Sequence, residues 1–455
     1  MNSRSEERLG TEPLLKLIFS LAIPAVLAQI VNLLYSIVDR IYIGHIADVG
    51  ALALTGMGLC MPILLIVSAF AAFAGNGGAP LAAMELGRGS REKAGEILKN
   101  AVIMILCFSI VLTVVLLLTR RPLLYFFGAS DDTIAYADDY LRIYLCGTIF
   151  VQLSMGLNTF ISCQGQAKTA MLSVLIGAVS NIILDPIFIF VFGMGVKGAA
   201  LATIISQAIS AVWVVRFLLS EKSVIRINFR DLRPQLSIIG RISSLGISPF
   251  IMQSTESLIA IVFTSGLQHY GGDLYVGSYT ILCSIMQLMV FPANGFAYGT
   301  QSIISYNFGA GNYHRVKQNF RIVSGICFAY TAIFYIAVLL FPKTIAGLFT
   351  SDAQLCAVAA SMMPIYLAGM VVFAFQISAQ TSLLGTGQAK ISLFIACLRK
   401  IILLTPLALI LPNFVGVEGI YWAEPISDTI SALTSVILFL YVSRKVLKSP
   451  AKERE

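Results

Sequence analysis

Charge is what this chain has least of. Only 12% of its 455 residues are Asp, Glu, Lys or Arg, about half the share usual in a soluble protein, while 57% are apolar. That excludes a water-solvated surface over most of the molecule. Other absences narrow the chemistry. There is no G-x-x-x-x-G-K-[ST] loop, so no phosphate-binding loop for ATP is evident. The three histidines, His45, His269 and His314, lie near predicted loops without metal-ligand spacing. The eight cysteines are scattered singly with no C-x-x-C, and read as small packing residues rather than a disulfide frame or zinc site. Gly193-x-Gly195-x-x-Gly198 matches a dinucleotide fingerprint in letters only, because it lies between two apolar segments with no preceding strand. No nucleophile with a base stands out, so an enzyme is not expected. The first thirteen residues are polar and lead into an apolar segment without a small-residue cleavage pattern, so no removable leader is expected.

What the chain does contain is a succession of apolar runs of about 20 residues or more, the length a helix needs to cross a bilayer. They fall near 14–43, 51–80, 96–119, 136–162, 168–193, 198–219, 237–266, 275–304, 318–341, 355–384, 389–413 and 417–443. The fold expected is therefore an all-α integral membrane protein of twelve transmembrane helices. Lys and Arg then set its orientation. Alternate connections carry Arg88, Arg91, Lys93 and Lys99; Lys168; Lys222, Arg226, Arg230 and Arg233; Arg315, Lys317 and Arg321; and Lys390, with Arg444, Lys445 and Lys448 in the tail. The opposite loops carry chiefly Arg120, Arg121, Lys197 and Lys343, the first pair offset by Asp131, Asp132, Asp138 and Asp139. Both termini are expected in the cytoplasm, with the chain in the plasma membrane as a monomer. The same bias explains the net charge of +8, so the bilayer and not nucleic acid is the expected partner.

The chain is written twice. Gly165-Gln166-Ala167-Lys168 recurs as Gly387-Gln388-Ala389-Lys390, 222 residues later. Leu86-Gly87-Arg88-Gly89-Ser90 corresponds to Phe308-Gly309-Ala310-Gly311-Asn312, Ile143-Tyr144-Leu145-Cys146-Gly147 to Ile365-Tyr366-Leu367-Ala368-Gly369, and Gly195-Val196-Lys197-Gly198 to Gly416-Val417-Glu418-Gly419. Each copy holds six spans, an even number, so the copies are parallel. The domains expected are residues 1–219 and 236–455, joined by a basic cytoplasmic linker at 220–235. Two such bundles suit a secondary transporter with a cleft between its halves.

Polar residues inside the apolar runs are where function should sit, because an ionisable side chain at membrane depth costs about 3 kcal/mol or more. In the fifth span Asn181 and Asp185 lie four apart, on one helix face, and Pro186 removes a backbone hydrogen bond. Gln29, Asn32, Ser36 and Asp39 draw a stripe along the first span, although Arg40 beside Asp39 also allows a solvated interfacial reading. Thr203 follows Gly198-Ala199-Ala200 in the sixth span. In the second half Gln253, Glu256 and Ser257 share a face of the seventh span, and Glu424 and Asp428 are four apart in the twelfth. Two carboxylates so close would repel, so one holds a proton, or both pair with a cation such as Arg399 or Lys400. By the repeat, Glu424 is opposite Thr203 and Asp428 opposite Gln207, while Asn181 and Asp185 are opposite Ile401 and Thr405. The halves share a frame and differ in chemistry. Oxygen ligands of the Asp, Asn and Thr type suit a hard cation such as Na⁺, or a proton.

These features together resemble the multidrug and toxic compound extrusion (MATE) family of bacterial type, over essentially the whole chain. The resemblance rests on twelve spans in two halves, Ile23-Pro24 with Asp39 in the first span, the two Gly-Gln-Ala-Lys copies, and Asn181-x-x-x-Asp185-Pro186 followed by Gly198-Ala199-Ala200 and Thr203. It implies a V of two six-helix bundles around a central cavity. The implied activity is export of cationic, often aromatic drugs and toxic organic compounds, driven by a H⁺ or Na⁺ gradient, with no cofactor beyond that ion. It implies that Asp39, Asn181, Asp185 and Thr203 form the coupling-cation site, and Glu256 matches the family's seventh-span acid. Some relatives carry an acidic residue in the tenth span, and the stretch 355–384 here has none. Gln29, Asn32, Tyr35, Gln253, Glu256, Tyr279, Met286 and Gln287 are expected to line the substrate cavity, because aromatics and Met fit varied apolar cations. Glu424 and Asp428 are candidates for substrate binding or proton relay. The second reading is a flippase for lipid-linked saccharide precursors, which would call for a strongly cationic cavity.

Overall fold

A computed structural model describes residues 3–46, 49–227 and 233–447. Arg230, Lys448 and linker residues 228–232 lie outside the described residues. A short helix, α1 (Ser3–Thr11), precedes the spans α2 (Leu14–Gly44), α3 (Gly50–Gly87) and α4 (Arg91–Phe126). The fourth span is a bent pair, α5 (Ile134–Cys146) and α6 (Thr148–Ser162), followed by α7 (Ala167–Pro186) with a π-helical turn at Ile187–Val191, and by α8 (Val196–Leu219). The second half comprises α9 (Leu236–Gly271), α10 (Asp273–Gly309), α11 (Tyr313–Leu340), the short α12 (Pro342–Gly347) and α13 (Ala353–Gly385). Its eleventh span runs through α14 (Ala389–Cys397), a π-helical stretch at Leu398–Leu404, α15 (Thr405–Ile410) and α16 (Pro412–Val415), and the last is α17 (Glu418–Lys445). Eleven of these spans are long and apolar enough to cross a membrane, and the bent pair makes twelve among the described residues. Every expected span is therefore present.

Among the described spans the fourth departs most in shape. It was expected as one run over 136–162 and is bent by 59° at Gly147. A Cβ there would lie 2.3 Å from Ile204 Cγ2, so glycine lets this corner press against α8. The carbonyl of Leu145, freed by the bend, accepts hydrogen bonds from the hydroxyls of Thr113 (3.1 Å) and Thr148 (2.8 Å). Such satisfaction is what makes a broken span tolerable in lipid.

The sequence repeat is also a repeat of backbone. Gly165 and Gly387 have φ of 78° and 74°, Gly89 and Gly311 both 77°, and Gly195 and Gly416 55° and 67°. Each pair turns the chain where only glycine enters easily. Gly198 and Gly419 form a matched pair of another kind. A Cβ on either would sit 2.6 Å from a backbone carbon, of Phe188 or of Leu411, so both are points of closest helix approach.

The molecule divides into two compact units, Met1–Thr11 with Leu27–Gln253, and Glu12–Val26 with Ser254–Glu455. The division therefore cuts through α2 just past Pro24 and through α9 just past Pro249. The first unit packs Ile43, Ile63, Val67, Tyr140, Leu145, Val151, Ile189 and Ala200 into one core. Asp138 pairs with Arg120 (2.6 Å) and Arg121 (3.3 Å), so the expected offset of those two cations takes the form of ion pairs, and Asp139 pairs with Lys197 (3.3 Å) at the start of α8. The second unit stacks Phe320 on Phe439 at 4.0 Å beside Leu383 and Ile395. Outward-facing Leu118, Val191, Leu340, Leu433 and Ile437 remain exposed, which suits a lipid-facing surface.

Candidate functional site

In the first unit hydrogen bonds join three polar side chains of two spans, and a fourth, from α2, lies within electrostatic range of them. Asp39 of α2, Asn181 and Asp185 of α7 and Thr203 of α8 are all buried, with exposures of 4%, 2%, 0% and 6%. The solvated reading of Asp39 does not hold: only its neighbour Arg40 is exposed. Helix spacing puts Asn181 and Asp185 on one face, and the Asn181 amide donates to Asp185 Oδ1 at 3.2 Å. The same Nδ2 donates to Thr203 Oγ1 at 3.4 Å, which the close approach of Gly198 to the Phe188 backbone brings within reach. Both donor directions of the amide are thereby spent inside the cluster, and its oxygen is turned away.

That leaves three buried oxygens, Asp39 Oδ1, Asn181 Oδ1 and Asp185 Oδ2, without a hydrogen-bond partner. The charges of Asp39 and Asp185 act on each other, and both act on the Tyr35 hydroxyl. Two carboxylates in mutual range, with spare oxygens and an amide carbonyl, can take up a hard cation or a proton. Pro186 ends α7 and the π-helical turn at Ile187–Val191 follows, which carries Ile189 back into the core against the start of α8.

The second unit holds a different arrangement. Arg399 lies in the π-helical stretch of the eleventh span and is 8% exposed. It donates from Nε to Asp428 Oδ1 at 2.6 Å and from an Nη to Glu424 Oε1 at 2.9 Å, with its guanidinium 4.1 Å from the Phe373 ring centre. Of the two readings open for Glu424 and Asp428, pairing with a cation is the one observed. The next residue, Lys400, is ion-paired with Glu256 of α9. Ser427 caps the Arg399 carbonyl at 2.8 Å and Thr405 the Lys400 carbonyl at 2.8 Å, so the widened turn keeps these carbonyls satisfied. Gly369 admits α17: a Cβ there would meet Pro425 Cα at 2.6 Å and Asp428 Cβ at 2.8 Å.

The residues expected to line a substrate cavity divide between the units. Gln29, Asn32, Tyr35 and Gln253 belong to the first, and Glu256, Tyr279, Met286 and Gln287 to the second. Asn32, Glu256 and Gln287 are exposed, and Gln29, Tyr35, Gln253 and Met286 partly so. Tyr279 is 9% exposed and packs on Phe263 (5.4 Å) and Tyr366 (5.9 Å). Phe373, Phe263 and Tyr366 were not singled out as site residues from sequence. Their signal is faint, since an aromatic in a helix of apolar residues looks like any other core residue.

The MatE family model matches residues 24–187 and 249–410. The multidrug export protein MepA of Staphylococcus aureus (strain NCTC 8325 / PS 47) is 24% identical over 444 residues, covering 97% of this chain and 96% of its own. A solved structure of the outward-facing conformation of a multidrug resistance MATE family transporter of the MOP superfamily aligns with TM-score 0.91 at 24% identity, over 98% of this chain and 99% of that one. A MOP superfamily transporter from Pyrococcus furiosus Vc1 (DSM3638), whose binding pocket of reverse polarity suggests a different function, aligns with TM-score 0.92 at 24% identity, over 98% and 100%. At that identity the structural likeness concerns the fold.

Proposed function

Given that the chain belongs to the MatE family, the multidrug and toxic compound extrusion transporters, we propose that it exports cationic or amphipathic organic compounds by alternating access, in exchange for H⁺ or Na⁺. The observation that carries the reading is the trio of buried, unpartnered oxygens on Asp39, Asn181 and Asp185. A permanent structural cluster would pair them, because each unpaired buried polar group costs about 1–3 kcal/mol. A transient ligand pairs them for part of a cycle. In this reading Asp39 and Asp185 supply charge, Asn181 supplies a carbonyl oxygen held by its own amide bonds, and Thr203 fixes that amide. Cation binding favours one opening of the cleft and substrate binding the other, so the two ligands exchange.

The exposed Glu256 supplies charge to the organic cation, beside Gln29, Asn32, Tyr35, Gln253, Tyr279, Met286 and Gln287. The protein works as a monomer in the plasma membrane with both termini in the cytoplasm. A saccharide-lipid flippase is not favoured, since a pyrophosphate needs uncommitted cations and both Arg399 and Lys400 are matched to carboxylates. The multidrug export protein MepA, similar along 97% of this chain, agrees with a drug substrate. The test is ethidium movement into proteoliposomes under an imposed proton or sodium gradient. One of the gradients should drive accumulation by wild type, and Asp185→Asn should abolish it. Equal transport by the variant, or no response to either gradient, rejects the coupling site.

A further inference from the structure

In the second unit, five charged side chains meet, and their signs do not balance. Glu256, Glu424 and Asp428 carry three negative charges when ionised, against two positive charges on Arg399 and Lys400. Arg399 is committed on both edges, to Asp428 and to Glu424, with Phe373 on its face. The excess negative charge is therefore shared by what remains: Glu256, ion-paired with Lys400, and Asp428 Oδ2, which is buried without a hydrogen-bond partner.

The Lys400–Glu256 pair is lopsided. The Lys400 side chain is 3% exposed, whereas that of Glu256 is 56% exposed. A lysine reaching from the packed interior thus covers, from behind, a carboxylate that opens to the outside of the unit. We propose that Lys400 is a tethered counter-cation that competes with the organic cation for Glu256, and so sets how strongly positive a substrate must be. This rests on the proposed export of organic cations. When a substrate's charge reaches the exposed side of Glu256, the ammonium is released toward Glu424 and Asp428. Its field already acts on both. A monovalent substrate then completes the balance at three charges of each sign.

The arrangement gives a reason for the adjacency of the two basic residues. On a regular helix neighbours point about 100° apart, and the π-helical stretch Leu398–Leu404 alters that angle, so that Arg399 faces α17 while Lys400 reaches α9. Lysine suits the second position because it is a flexible point charge with a mobile stem, whereas the planar, two-edged guanidinium suits the fixed pair. The two residues divide the work: Arg399 holds the two buried acids together, and Lys400 holds the place of the ligand.

The experiment measures ethidium binding to the purified full-length protein by fluorescence anisotropy, for wild type, Lys400→Gln, Lys400→Arg, Glu256→Gln and the double variant Lys400→Gln/Glu256→Gln. Removing the competitor should tighten ethidium binding about three- to tenfold in Lys400→Gln. The gain should vanish when Glu256 is also neutralised, and Lys400→Arg should bind no more tightly than wild type. A purely structural lysine would lower thermal stability and weaken binding, or leave it unchanged, and either result in a folded Lys400→Gln overturns the proposal. So does a gain that survives in the double variant. If Lys400→Gln does not fold, Lys400→Met, which matches the stem in length, carries the same expectation. Wild type that binds no organic cation at all rejects the export reading itself, and the competition with it.

Discussion

A carboxylate oxygen without a partner inside a membrane protein is an unstable arrangement unless something arrives to complete it. Asp39 Oδ1 and Asp185 Oδ2 are two such atoms, and Asn181 Oδ1 stands with them. The Asn181 amide is spent on Asp185 Oδ1 and Thr203, which leaves its own oxygen turned away from both. Thr203 therefore acts through Asn181. Thr203→Ala should raise the cation concentration for half-maximal transport severalfold, on the order of one hydrogen bond's free energy. Thr203→Ser should restore it, and melting temperature should stay near that of wild type. Transport by Thr203→Ala with wild-type cation dependence would show that Thr203 does not act on the cation site. Asn181 and Asp185 were legible in the sequence because spacing alone places them on one face and lipid makes them expensive. The burial of Asp39 was less legible, because the charged neighbour Arg40 also allowed an interfacial position.

At the scale of elements, the two halves use glycine at matched places for unequal purposes. Gly147 and Gly369 occupy equivalent positions and press on equivalent residues, Ile204 of α8 and Pro425 of α17. In the first half the fourth span bends there; in the second α13 continues unbroken from Ala353 to Gly385. The neighbours differ in give. A methyl group at 147 would meet side-chain atoms of Ile204, while at 369 it would meet backbone at Pro425 Cα and crowd Asp428. Gly369→Ala should accordingly destabilise the purified protein by about 1–3 kcal/mol and more than Gly147→Ala. Thermal unfolding in one detergent settles the order, and a lower melting temperature for Gly147→Ala would contradict it. The glycine pairs were visible as a repeat, and the twelve spans as runs of apolar residues. The bend and the π-helical turns were not, because they depend on which neighbour approaches and on which hydroxyl, such as that of Thr113, is at hand to take a freed carbonyl.

For the whole molecule, duplication supplies a common frame and substitution supplies the asymmetry. Asn181 and Asp185 face Ile401 and Thr405 across the repeat, and Thr203 faces Glu424, so the open oxygen cluster has no second copy. The second unit instead closes its acids with Arg399 and Lys400. Under the proposed function this assigns the coupling ion to one unit and the charge of the substrate to the other. The compact units also exchange a piece of chain: Glu12–Val26 lies with the second unit although it begins the first repeat. That exchange leaves no mark in the sequence, since hydrophobic pattern specifies that a segment is buried and not against which bundle.

Under the proposed function, the exchange of substrate for cation runs through Asp39, Asn181 and Asp185. It is tested most directly by adding ethidium to the purified protein in weak buffer and measuring what leaves, protons with an indicator dye and sodium by flow dialysis of a labelled ion. Wild type should release one of the two ions, and Asp185→Asn should release neither while still binding ethidium. Binding of ethidium by wild type with no ion released, or an equal release from Asp185→Asn, would contradict it.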